Sequence, residues 1–260
     1  MQKTGILVVS FGTSYQDSLA NNIQAIEKSI GKAFPDCELR RAFTSGMIIR
    51  KLQKRDGFHV DTVEEALESF VMDGFSDLIV QPTHIINGIE NDIMLDTVRS
   101  YLDKFHSVRV GTPLLTTTDD YRALIDGVMC EFSSLKDDEF LVFMGHGTEH
   151  DANAVYPALD YMLKADGHTN VYIGTVEGYP DLPLVKELVR EKAPKRIILA
   201  PLMIVAGDHA TNDMAGEEKS SWKNEFQREG YEVDCILKGL GEYPAVRNIF
   251  VEHAKEAVLL

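Results

Sequence analysis

Short, largely apolar runs recur along the chain, each closed by Gly, Pro, Ser or Thr and followed by a stretch whose apolar residues return at helical spacing. The runs Ile6–Phe11, Glu38–Phe43, Asp77–Gln81, Val108–Gly111, Phe140–Met144, Val171–Gly174, Arg196–Ala200 and Glu232–Leu237 have strand length. Between them lie amphipathic segments such as Ser14–Ala33, Thr62–Asp73, Glu90–Phe105, Tyr121–Phe132, Leu182–Lys192 and Asn212–Glu229. Val/Ile-rich strands buried on both faces and separated by helices predict parallel sheets joined by right-handed crossovers.

The pattern repeats faintly. Leu7–Thr13 resembles Leu141–Thr148, and Ile79–Gly88 resembles Leu199–Gly207, in the same order in each half. This predicts an α/β protein of two similar lobes, each a parallel sheet flanked by helices, with a cleft between them. The lobes would be residues 1–134 and 135–260, joined near the polar stretch Ser133–Asp138. Ligands of open parallel sheets bind beyond the carboxyl ends of the strands, so the loops following them are the ones to watch.

Charge narrows the function. Acids outnumber bases 41 to 26, a net charge of −15, and no basic face is evident to meet nucleic acid or an anionic membrane surface. Cys37, Cys130 and Cys235 are isolated, which argues against a disulfide framework or a cysteine zinc site and fits a reducing, cytoplasmic setting. The run Ile6–Val9 is too short for a signal-peptide core, and no apolar stretch approaches the roughly 20 residues of a membrane span. Gly31-Lys32-Ala33 lacks the rest of a phosphate-binding loop, Gly239-Leu240-Gly241 comes late and lacks a third glycine, and no GxSxG elbow exists. No nucleotide cofactor is expected.

Two histidines stand out. His146 lies between Gly145 and Gly147 at the end of an apolar strand, where the backbone allows close ligand approach. A turn histidine capping the next helix is the competing reading. His146, Glu149 and His150 also match the HxxEH pattern of inverzincins, but that motif requires a helix, which the two glycines oppose. His209 follows a strand–Pro unit just before a helix start, with Asn212 or Asp213 available as cap; a helix N-terminal histidine held by Asp208 is the competing reading. Two imidazoles on neighbouring loops with a carboxylate nearby make a divalent-metal site. Glu177 and Glu90 occupy loop ends where they could serve, although surface acids are common here. His59, His106, His168 and His253 read as solvated, and His84 either lines the cleft or packs beside Pro82.

The stretches LVVSFGTSY (7–15), RAFTSGMIIRK (41–51), HIING (84–88), VFMGHG (142–147) and PLMIVAGDHATNDM (201–214), taken together, resemble the anaerobic cobalt chelatases, sirohydrochlorin cobaltochelatases of the class II chelatase group. The resemblance runs in order along nearly the whole chain. It implies a tetrapyrrole cleft between two lobes and ATP-independent insertion of a divalent metal, Co²⁺ first and otherwise Fe²⁺ or Ni²⁺, into sirohydrochlorin or a related ring. By motif match His146 and His209 take the metal, Glu177 matches a carboxylate ligand, and Glu90 matches an acidic cleft position that would assist catalysis. Ser10, Phe11, Gly12, Thr13, Thr44, Ser45, Gly46, Met47 and His84 would form the walls that bind the macrocycle. A ferrochelatase making sirohaem or protohaem and a non-catalytic metal or tetrapyrrole carrier are the rivals. A homo-oligomer is compatible with either. Sirohydrochlorin is itself a polycarboxylate, so local cations such as Arg41 or Arg50 are expected to offset the −15 field at short range.

Overall fold

Side chains in β1 (Thr4–Ser10) alternate between two cores, Ile6 and Val8 on one face and Leu7 and Val9 on the other. That alternation, with no polar side, is why the strand reads as one continuous apolar run. The structure, a computed structural model, describes residues 3–260. After β1 a short α1 (Gln16–Ser18) runs through a π-turn (Leu19–Ile23) into α2 (Gln24–Ala33). Then come β2 (Glu38–Phe43), α3 (Gly46–Asp56), α4 (Val63–Met72), β3 (Asp77–Pro82), α5 (Ile89–Arg99), β4 (Ser107–Val110) and α6 (Thr118–Met129). The second half holds β5 (Glu139–Gly145), α7 (Val155–Ala165), β6 (Val171–Thr175), α8 (Leu182–Lys192), β7 (Arg196–Leu202), a π-turn (His209–Met214), α9 (Trp222–Arg228), β8 (Glu232–Cys235), α10 (Pro244–Lys255) and β9 (Val258–Leu259).

The strands form two sheets of matching order, β2-β1-β3-β4-β9 and β6-β5-β7-β8. Strands β1 to β4 and β5 to β8 are all parallel, so the internal repeat of the sequence is a repeat of topology. One strand departs from the expected pattern. The C-terminal β9 pairs antiparallel with β4, closing that edge of the first sheet.

One core joins the sheets. Ile6, Val8 and Ile79 from the first and Leu141, Phe143 and Ile173 from the second belong to the same apolar cluster as Leu124, Val128 and Phe250 of the helices between them. Helix α10 packs on α2 and α6, so the end of the chain returns to the first sheet. His253 fixes it there, its ring nitrogens bonded to the Thr112 carbonyl (3.0 Å) and the Asp120 carboxylate (2.9 Å). The expectation that His253 is solvated is therefore wrong, since it is 7% exposed. The expected helix over 212–229 is also broken, into a π-turn and α9.

Candidate metal centre

His146 stands on a loop that its own backbone staples in place. The His146 carbonyl accepts from the amides of Val176 (3.1 Å) and Glu177 (2.8 Å), tying the loop after β6 to the loop after β5. Gly147 has φ of +81°, and a Cβ there would lie 2.6 Å from the Gly178 nitrogen, so only glycine closes the turn. The ring Nδ1 lies 2.8 Å from the Gly147 carbonyl, which can only accept, so Nδ1 carries the proton and Nε2 keeps its lone pair. The same loop links bring Glu177 within reach, its carboxylate 3.8 Å from His146 Nδ1.

Residues 146–150 are loop, not helix, which removes the inverzincin arrangement. His150 is instead the capping histidine, its Nδ1 accepting from Ala152 N (3.0 Å) while Nε2 faces Asp92 at 3.3 Å. That pair and the Tyr15 hydroxyl donating to Asp208 (3.0 Å) each connect the first half of the chain to the second. Loops beyond the carboxyl ends of the two sheets thus meet face to face.

His209 opens the π-turn that follows β7. Its Nδ1 bonds the Asp213 carboxylate at 2.6 Å, not Asp208 as expected from the sequence. Asp208 accepts from Tyr15 and Asn212 instead. The imidazoles of His146 and His209 meet edge to face, ring centroids 4.8 Å apart. Each has Nδ1 engaged by protein, leaving Nε2 as its one free donor. Glu177 is exposed and, among the described residues, its one ionic neighbour is His146; it does not close a compact trio with both rings there. Glu90 sits in the first turn of α5, where a carboxylate complements the helix dipole, and makes no ion pair among the described residues.

The first sheet carries the same loop architecture with different side chains. Thr44 N and Ser45 N donate to the carbonyls of Ser10 and Phe11 (2.9 and 3.2 Å), as Val176 N and Glu177 N do to those of Gly145 and His146. Gly12, with φ of +103°, matches Gly147. Phe11 therefore occupies the place of His146, Ser45 that of Glu177, and Glu90, two residues after Gly88, that of His209 after Gly207. One sheet presents imidazoles and the other an apolar ring with a carboxylate.

The expected macrocycle walls divide by exposure. Phe11 (45%) and Met47 (67%) are open, and Tyr179, in the loop after β6, is exposed as well. Ser10 is buried against Thr83 (Oγ to Oγ1, 2.7 Å), Thr13 accepts from Tyr15 N, and Ser45 caps α3. Thr44 and Gly46 are partly buried, and Gly12 is buried over Phe43. His84 is enclosed, with no partner for either ring nitrogen among the described residues, and burial pushes its pKa down to about 4, leaving it neutral. Arg41 is held by a two-point pair with Glu27, Nε to Oε1 and Nη2 to Oε2, within the first half of the chain. Arg50 and Lys51 on α3 have no carboxylate partner among the described residues. A separate trio, His59, Asp61 and Glu65, brings its ligand atoms within 4.8 Å of one another, but Glu65 already closes the capping box of α4.

Paired imidazoles with free Nε2 atoms are thus presented at facing sheet ends by one half of an α/β protein with two matching sheets. The profile of the family described as cobalt chelatase (CbiK) matches residues 4–259, and the chain belongs to that family. Sirohydrochlorin cobaltochelatase of Salmonella typhimurium is 43% identical over 256 residues, covering 98% of this chain and 97% of its own. Sirohydrochlorin cobaltochelatase CbiKC of Nitratidesulfovibrio vulgaris is 32% identical, covering 99% of this chain and 92% of its own. Among solved structures, SirB from Bacillus subtilis with Fe³⁺ shares the fold at a TM-score of 0.67 and 15% identity, over 98% of this chain and 95% of that one. Among the described residues no helix is long and apolar enough to cross a membrane.

Proposed function

We propose that this protein inserts Co²⁺ into sirohydrochlorin, the ring and metal named for its 43% and 32% identical relatives, and that it does so without a nucleotide. The observation that carries the reading is the edge-to-face pair of His146 and His209, each with Nδ1 engaged and Nε2 free. Neutral imidazoles bind Co²⁺ without fixing its charge, so they can strip part of its hydration shell and still release it to the ring nitrogens. Insertion forms four cobalt–nitrogen bonds and expels two pyrrole protons. Glu90, on the lobe facing the histidines, takes protons, and the exposed Glu177 swings toward the metal as a carboxylate ligand. The two lobes, divided near residue 134 with α10 and β9 returning to the first, act as jaws. Exposed Phe11 and Met47 give the macrocycle an apolar wall. The reaction belongs in the cytoplasm, where the three free cysteines stay reduced.

The test is a spectrophotometric assay of purified protein with sirohydrochlorin and either Co²⁺ or Fe²⁺. Loss of the metal-free spectrum at catalytic protein concentration, faster with Co²⁺, is expected. A change that stops at one equivalent of ring per protein would make it a carrier, and faster insertion of Fe²⁺ would make it a ferrochelatase.

The acidic periphery of the ring needs cations, and Arg50 is placed to supply one. A Cβ at Gly46 would lie 3.2 Å from Arg50 Nη1, so the guanidinium folds over the start of α3, beside exposed Met47. Arg50→Ala should raise KM for sirohydrochlorin by about tenfold at low salt with little change in kcat, the loss of one charge-assisted hydrogen bond. The difference should shrink as added salt screens the interaction. An unchanged KM at low salt would remove Arg50 from ring binding.

A further inference from the structure

We propose that Asp213 is the positioning residue of the metal centre: it fixes the tautomer and orientation of His209 so that Nε2 is the atom offered to the cation. The inference rests on His209 being a metal ligand and adds a residue to that reading.

Three observations carry it. Asp213 Oδ2 lies 2.6 Å from His209 Nδ1. A carboxylate accepts only, so the bond requires a proton on Nδ1 and leaves the lone pair on Nε2. Free imidazole has no such obligation, and without the partner the ring could equally carry its proton on the nitrogen that must face the cation. A carboxylate behind a metal-binding imidazole also raises its basicity and holds the ring plane.

The second observation is the local backbone. His209 and Asp213 both lie in the π-turn His209–Met214. In the matching place of the first lobe, α5 begins after Gly88 as an ordinary α-helix. The two segments start alike: Asp92 N donates to the Gly88 carbonyl and Thr211 N to the Gly207 carbonyl, each at 3.0 Å. They end alike too, on Met94 and Met214, both fully buried in their cores. The segment from Gly207 to Met214 is nevertheless one residue longer than that from Gly88 to Met94. The π-turn absorbs the extra residue, and the wider i→i+5 turn brings residues four apart into line along the helix. The lobe that carries the imidazole is the one that carries the insertion, and the carboxylate immediately precedes the shared Met.

Third, the neighbouring carboxylate is excluded from the role. Asp208 spends Oδ1 on Tyr15 and Asn212, so the residue next to His209 in sequence holds the lobes together while the one a turn away holds the ring. His146 is treated in kind, its Nδ1 engaged by the Gly147 carbonyl, so both rings offer the same nitrogen.

The experiment compares wild type, Asp213→Ala, Asp208→Ala and His209→Ala, all metal-free and ¹⁵N-histidine labelled. Long-range ¹H–¹⁵N spectra above the histidine titration range report the tautomer, and Co²⁺ titration followed by visible absorption reports affinity. Wild type and Asp208→Ala are expected to show His209 protonated on Nδ1. Asp213→Ala should move the proton toward Nε2 and weaken Co²⁺ binding by about 10- to 100-fold, the usual cost of losing such a partner. An unchanged tautomer in Asp213→Ala, an unchanged Co²⁺ dissociation constant, or an equal tautomer shift in Asp208→Ala overturns the proposal. His209→Ala judges the underlying reading separately. If it binds Co²⁺ as wild type does, His209 is no ligand, whatever the Asp213 spectra show.

Discussion

His209→Ala is expected to lower Co²⁺ insertion into sirohydrochlorin by more than about a hundredfold while the protein melts at the wild-type temperature. The lower bound follows from the tenfold to hundredfold cost of removing even the outer partner of a metal ligand. The unchanged melting follows from the surroundings of the ring. Its side chain is 34% exposed and its only hydrogen-bond partner among the described residues, Asp213, is 48% exposed, so little folding energy depends on it. His146→Ala should fall as far, and the double variant little further, because two ligands that act on one ion are lost as a unit. The check is initial-rate kinetics at several Co²⁺ concentrations beside a calorimetric melt. Near-wild-type insertion by His209→Ala would end the metal-centre reading, whatever the fold and the relatives suggest.

Much of this centre was legible because its parts are local. Buried strands leave apolar runs, and β1, β3, β5 and β7 all lie where those runs fall. A glycine that must adopt positive φ marks the loop after a strand, so Ser10-Phe11-Gly12 and Gly145-His146-Gly147 could be matched before any coordinates. What sequence spacing could not supply was the partner of each side chain. Asp208 is adjacent to His209 and was the natural choice, but the extra residue in the π-turn selects Asp213. One clue existed, the longer spacing from Gly207 to Met214 than from Gly88 to Met94. Arg41 sat in a motif stretch yet points to Glu27, and His253 sat in a polar stretch yet is enclosed. Helices α3, α7 and α10 have no counterpart among the expected amphipathic segments. The start of α3 reads as a loop because Ser45 caps it and Thr44 precedes the cap, and α10 finds its partners, α2 and α6, more than a hundred residues away. Tertiary pairing of this kind leaves no periodic trace.

The buried pair of His253 and Asp120 gives the second large expectation, this time for stability. His253→Ala should destabilise the protein by about 3 kcal/mol, the cost of leaving the buried Asp120 carboxylate and the Thr112 carbonyl without their imidazole partner. At roughly 2–4 °C per kcal/mol for a chain of this size, melting should fall by about 6–12 °C. Both partners are enclosed, with side chains 7% and 11% exposed, so solvent screens the interaction little. Asp120 also accepts from the amides of Thr116 and Thr117, closing the capping box of α6, which makes it the meeting point of that helix and α10. Burial alone would raise the Asp120 carboxyl, but the Thr117 amide and the His253 side chain outweigh it and hold it below the usual carboxylate range. Stability from a depressed carboxylate is complete above its unfolded pKa of about 3.9 and is lost as pH falls through the lower folded value. The gap between wild type and Asp120→Asn should therefore be constant from neutral pH down to about pH 5 and close below about pH 4. Urea unfolding of wild type, His253→Ala and Asp120→Asn across that range measures it. A gap that persists unchanged into strong acid would mean that packing around α10, and not the Asp120 carboxylate, supplies the stability, and a wild-type melt for His253→Ala would mean that its hydrogen bonds contribute nothing to it.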